Sequence, residues 1–150
     1  MNRLKNFILP LLWAGVIFMF STEAFGDSTT YGALHHLFGF LGVSMRSHEL
    51  KVVDFLVRKS AHLTVYAVLA ALWLRAFRKS GVSLTAALLF SLVISFSYGA
   101  LDEFHQSFEA GRTPKVSDVF IDTSGAAAAL FLFLLIIKKR RTCAAPGPGV

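Results

Sequence analysis

"VSLTAALLFSLVISFSYGALDEFHQSFEAGR", residues 82 to 112, decides the fold. Residues 82–101 contain no Asp, Glu, Lys or Arg, whereas residues 102–112 hold Asp102, Glu103, Glu109, His105, Gln106 and Arg112. A helix rises about 1.5 Å per residue, so roughly 20 apolar residues cover a hydrocarbon core of about 30 Å, and lipid offers no partner to a bare backbone amide. The stretch therefore reads as a membrane span that ends in a polar cluster at one surface.

The rest of the chain extends this reading. Of its 150 residues 55% are hydrophobic and 16% charged, fifteen are Phe, and the mean hydropathy is +0.60. These values lie outside the habits of a soluble domain. Three further apolar windows, Phe7–Ser21 (extending toward Phe25), Ala61–Phe77 and Val119–Ile137, join Val82–Leu101. The expected architecture is all-α: a polytopic membrane protein with four transmembrane helices and an interfacial helix in the first outer connection. One domain spans residues 1–150, with its core at about 7–137 and a basic, disordered tail at 138–150. The interfacial helix is "YGALHHLFGFLG", residues 31–42, whose Tyr31, Phe38 and Phe40 suit the headgroup level. Ser47–Arg58 alternates apolar and charged residues at helical spacing and leads into the second span. Arg3 and Lys5 before an apolar run also match a signal peptide, but the small-x-small cleavage pattern is missing, so a retained helix is the preferred reading. The single cysteine, Cys143, excludes an internal disulfide.

Orientation follows from basic residues. Arg3, Lys5, Arg75, Arg78, Lys79, Lys138, Lys139, Arg140 and Arg141 fall on one side of a four-span chain, which predicts cytoplasmic termini. The acids fall on or near the other half, so the net charge of +6 is a dipole across the membrane and not a nucleic-acid footprint. Lys59, His62 and Tyr66 share one face of the second span at i, i+3 and i+7, and Ser91, Ser95, Tyr98, Asp102 and His105 form a stripe on the third. On the fourth, Asp118 and Asp122 give way to Gly125 and Ala129, a carboxylate face that becomes a small-residue face for close helix packing.

Ionisable groups within hydrocarbon turn inward and find partners. These residues therefore predict an outward-opening polar pocket, roofed by the 102–117 connection, in which Gly111 and Pro114 flank Arg112. Arg112 can clamp a phosphate or neutralise Asp102, Glu103 or Asp118, and the ion-pair reading comes first because intramembrane charges usually pair with one another.

"RKSAHLTVYAVLAAL" (58–72), "YGALDEFHQSFEAGR" (98–112) and "SDVFIDTSGA" (117–126) together resemble the VanZ-like family of small bacterial membrane proteins, over roughly residues 7–137. The matching positions are Lys59, His62, Tyr66, Asp102, Glu103, His105, Gln106, Phe108, Gly111, Arg112, Asp118 and Gly125; Asp122 stands where the family often has Asn, and Ala110 where it often has Pro. The resemblance implies a link to tolerance of the glycopeptide teicoplanin. It implies no particular reaction.

Chemistry is therefore read from the residues. His62, Asp102, Glu103 and His105 are candidate acid–base groups, and Lys59, Tyr66, Gln106, Arg112, Asp118 and Asp122 are candidate binding groups. No cofactor is expected. Nor is a metal, since "DEFHQ" lacks the H-E-x-x-H pattern and spacing cannot show that His62, His105, Asp102 and Glu103 converge. The expected partner is a membrane lipid or lipid-linked envelope precursor, with no nucleic acid, and homo-oligomerisation is left open. Whether the chain is an enzyme, or a structural or regulatory protein whose charges only pair helices, is also open at this level. Ser60, Ser107 and Ser117 read as caps or hydrogen-bonding filler. Trp13 and Trp73 read as lipid-facing or core residues.

Overall fold

A computed structural model describes residues 3–22, 27–108 and 115–143. A short 3-10 turn (Arg3–Phe7) runs into α1 (Ile8–Phe20), followed by α2 (Asp27–Phe40), α3 (Ser47–Lys79), α4 (Leu84–Gln106) and α5 (Val116–Cys143). There is no strand among the described residues. Four stretches are long and apolar enough to cross a membrane: Arg3–Phe20, Ser47–Lys79, Leu84–Gln106 and Val116–Arg140. α2, with 14 residues, is a fifth helix that reaches only about 20 Å.

The four long helices alternate in direction. Asn6 Nδ2 donates to Ser80 Oγ at 3.0 Å, tying the start of α1 to the end of α3. At the other end Ser21, just past α1, donates to Asp102 near the end of α4. Between 11% and 28% of each span is buried within the protein, so most of its apolar surface, including Leu89, Val93, Phe131 and Leu132, faces outward. A water-soluble bundle would turn that surface inward. The chain is a membrane protein.

α3 is longer than its apolar window. No glycine or proline interrupts residues 43–80, so the amphipathic lead-in and the span form one rod of 33 residues, roughly 50 Å long. Its start is fixed by Glu49, whose carboxylate accepts from the Arg46 backbone N–H at 2.9 Å. Its end is set by Gly81 (φ +88°), which L side chains rarely match. The Gly81 N–H reaches Arg78 O at 3.2 Å and the Val82 N–H reaches Phe77 O at 3.1 Å, satisfying carbonyls that the helix end would leave bare. Ser83 then caps α4 by accepting from the Ala86 N–H.

α5 packs most extensively on α3, for a reason legible in its small residues. A Cβ at Gly125 would fall on the Leu63 carbonyl oxygen and lie 2.9 Å from its carbon, so only glycine permits this approach. Below it Ala70, Leu74, Ala87, Ala126 and Leu130 form an apolar core shared by α3, α4 and α5. α1 joins through Ile17, buried with Tyr66 and Leu69. Trp13 Nε1 donates to Val65 O at 2.9 Å and Tyr98 OH to Ala14 O at 2.6 Å. The first helix is thus a packed member of the bundle, and Trp13 is a half-buried residue lying against its core.

Candidate functional site

Alternating helix direction brings the end of α1, the middle of α3, the end of α4 and the start of α5 to one level. A cavity of about 410 Å³ opens there. One wall is apolar (Ile17, Phe20, Phe55, Val65), and the rest carries Arg58, Lys59, Lys115, His62, Tyr66, Asp102, Gln106 and Asp118. Thr30 of α2 reaches the same cavity, so the short helix contributes to its wall.

Most of the predicted residues meet. Lys59 Nζ lies 2.5 Å from Asp118 Oδ1, and one turn deeper His62 Nδ1 lies 3.1 Å from Asp122 Oδ1. Both pairs follow from the matched spacings on α3 and α5: a step of three or four residues on each helix moves both partners by one turn. Asp102 accepts from Ser21 Oγ and, at 2.9 Å, from Gln106 Nε2. Glu103 Oε2 accepts from the Lys115 backbone N–H at 2.7 Å, anchoring the start of α5 to α4. Asp102, Glu103, Gln106 and Asp118 are each at most 7% exposed, and Asp122 is fully buried.

Burying a polar atom without a partner costs a few kcal/mol. Among the described residues the Tyr66 hydroxyl, Asp122 Oδ2 and Glu103 Oε1 are buried with no hydrogen-bond partner. One donor atom each from His62, Glu103 and Asp122 lie within 4.8 Å of one another, a convergence of three helices that the sequence reading, which expected no metal, did not contain.

Two predicted residues fall elsewhere. His105 shares the level but stacks on Phe18 of α1, ring centroids 4.6 Å apart, and does not line the cavity. Arg112, with Gly111 and Pro114, lies outside the described residues. The polar stripe of α4 is also broader than expected. Ser91, Ser95, Gly99, Asp102, Glu103 and Gln106 are its buried residues beyond Ala87, while Tyr98 turns toward α1. Ser107 donates to Phe104 O and Ser117 to Asp118, as local filler does.

Ser21, Thr30, Arg58 and Lys115 line the cavity without having been predicted as site residues, and Asp54 stands behind Arg58, outside the cavity lining. Ser21 was read only as the border of an apolar window, although a hydroxyl ending a span on the acidic side was the available signal. Asp54, which pairs with Arg58 at 3.1 Å, carried a signal in its i, i+4 spacing. Thr30 had none.

The family model described as VanZ/LLP1 matches residues 7–137, and the chain belongs to that family. No curated protein and no solved structure matches it.

Proposed function

We propose that this VanZ/LLP1 family member lies in the bacterial cytoplasmic membrane with both termini cytoplasmic, and that its cavity faces outward to recognise or modify a phosphate-bearing lipid or lipid-linked envelope component. The observation that carries the reading is the cavity's composition. Arg58, Lys59 and Lys115 stand over a wall of Ile17, Phe20, Phe55 and Val65, a cationic rim beside an apolar surface, as an anionic amphiphile requires. Orientation rests on the basic residues gathered at the opposite end, where Lys5, Arg75 and Lys79 surround a small second cavity. His62 and Asp102, which line the cavity, are the groups placed to move a proton at a bound ligand, and Tyr66 and Gln106 to orient it. Glu103 stands behind them and His105 beside Phe18, while Arg112, outside the described residues, is kept as a binding residue on the sequence reading alone. The family association makes teicoplanin tolerance the expected phenotype.

A second reading has its own support. Lys59–Asp118, His62–Asp122 and Arg58–Asp54 are each paired within the protein, so a structural or regulatory role would need no ligand. Lipid mass spectrometry of purified protein, alongside teicoplanin tolerance in cells, separates the two. Wild type should carry a phosphorylated lipid enriched over bulk membrane, and Arg58→Gln with Lys115→Gln, at equal abundance, should lose both that lipid and the tolerance. Equal lipid load and equal tolerance would leave the structural reading standing.

A further inference from the structure

The acidic side chains at the cavity end outnumber the cations that pair with them. Lys59 takes Asp118, and the His62 imidazole, a cation only when protonated, meets Asp122, while Asp102 and Glu103 are held by neutral donors: the Ser21 hydroxyl, the Gln106 amide and the Lys115 backbone N–H. Four carboxylates at this depth would cost several kcal/mol each as bare ions. Of these four carboxylates, Asp122 and Glu103 each keep a buried oxygen, Oδ2 and Oε1, without a hydrogen-bond partner, on side chains 0% and 6% exposed.

Those unpartnered carboxylates belong to the same three residues whose donor atoms converge. We propose that His62, Glu103 and Asp122 form a binding site for one divalent first-row transition metal ion behind the part of the cavity wall that His62 supplies.

The donor set fits this class of ion. Ligands on a tetrahedral or octahedral ion with bonds of about 2.1 Å are spaced by roughly 3 to 4 Å. The 3.1 Å between His62 Nδ1 and Asp122 Oδ1 lies in that range, and a limit of 4.8 Å for the group requires only a small closure. One imidazole with two carboxylates suits Zn²⁺ or Mn²⁺ and disfavours Mg²⁺ and Ca²⁺, which prefer all-oxygen shells. The ligands come from α3, α4 and α5, so the fold itself builds the site. Gly99 of α4 lies beside the cluster, where a Cβ would make ordinary contact with Asp122 Oδ2 at 3.4 Å and with the Tyr66 ring at 3.5 Å. Three protein ligands leave positions for water or a ligand oxygen, as catalytic metal sites do and closed structural ones do not. His62 also lines the cavity, so those positions are reached from the side where a substrate would enter. A metal there would polarise a phosphoryl oxygen or activate water.

The test uses full-length protein purified through a tag without histidines, stripped with chelator and reloaded with Zn²⁺ or Co²⁺. Elemental analysis should find about one Zn²⁺ per chain, and Co²⁺ should give visible d–d bands that equimolar Zn²⁺ removes. Both signals should fall about 10-fold or more in Asp122→Asn and in Glu103→Gln, and persist in Asp54→Asn, which removes a buried carboxylate outside the cluster. Wild-type protein without the Co²⁺ bands would overturn the proposal whatever the variants do. So would undiminished metal in both cluster variants, or equal loss in Asp54→Asn. Metal content is read independently of lipid content, so the lipid reading and this one can fail separately.

Discussion

The two halves of the α3–α5 seam are built from opposite materials. Toward one end Ala70, Leu74, Ala126 and Leu130 touch, with Ala87 of α4, in a seam of apolar atoms. Toward the other the same two helices meet through Lys59–Asp118 and His62–Asp122, and buried oxygens of Asp122 and neighbouring Glu103 lack partners. Lipid tails are as apolar as leucine, so the first half is held by close fit and not by escape from water. The second half is a poor way to gain stability, because desolvating two charges takes back most of what their attraction supplies. Its unpartnered polar atoms are the observation on which the proposed metal site rests. Gly125 lies between the halves, where α5 rests against the Leu63 backbone of α3.

The largest effect expected is at that divide. Gly125→Val pushes a branched side chain into the Leu63 backbone, which cannot yield as a side-chain tip would, and overpacking of this kind costs about 3 kcal/mol or more. Fluorescence-detected gel filtration should show loss of the monodisperse peak; a normal peak would remove the close approach from the argument. Next, Leu130→Ala in the apolar half leaves a cavity worth about 2 kcal/mol or more. It should lower the melting temperature while the surviving protein keeps its lipid and metal content. If site properties fall with stability, the halves are one unit and the comparison breaks. Smallest is Ser21→Ala, which removes one hydrogen bond to Asp102 and should cost about 1 kcal/mol. Its effect on cavity ligand binding should exceed its effect on melting, and the reverse would return Asp102 to a structural role.

The family motifs singled out most of the polar residues that gather around the cavity, and helical spacing set them on shared faces: Lys59 with His62, and Asp118 with Asp122. Spacing also overreached. It joined His105 to the α4 stripe, whereas that ring stacks on Phe18, and it left Glu103 and Gln106 off a face on which both are buried. The stripe is wide because α4 meets α1 through Tyr98 and Asp102 and packs on α3 and α5 as well. A helix with several neighbours has more than one inward face.

By itself the sequence determined the four apolar spans, the long rod of α3, the turn at Gly81 and the depth at which the charges gather. Each of these depends on residues close in the chain, through hydrophobic length, helical period and backbone conformation. The tertiary structure alone decided which acid each cation takes, that Ser21 serves Asp102, and that His62, Glu103 and Asp122 converge. Partner choice depends on the rotation and separation of helices from distant parts of the chain, and here those are fixed where the bare backbone of Gly125 meets the carbonyl of Leu63.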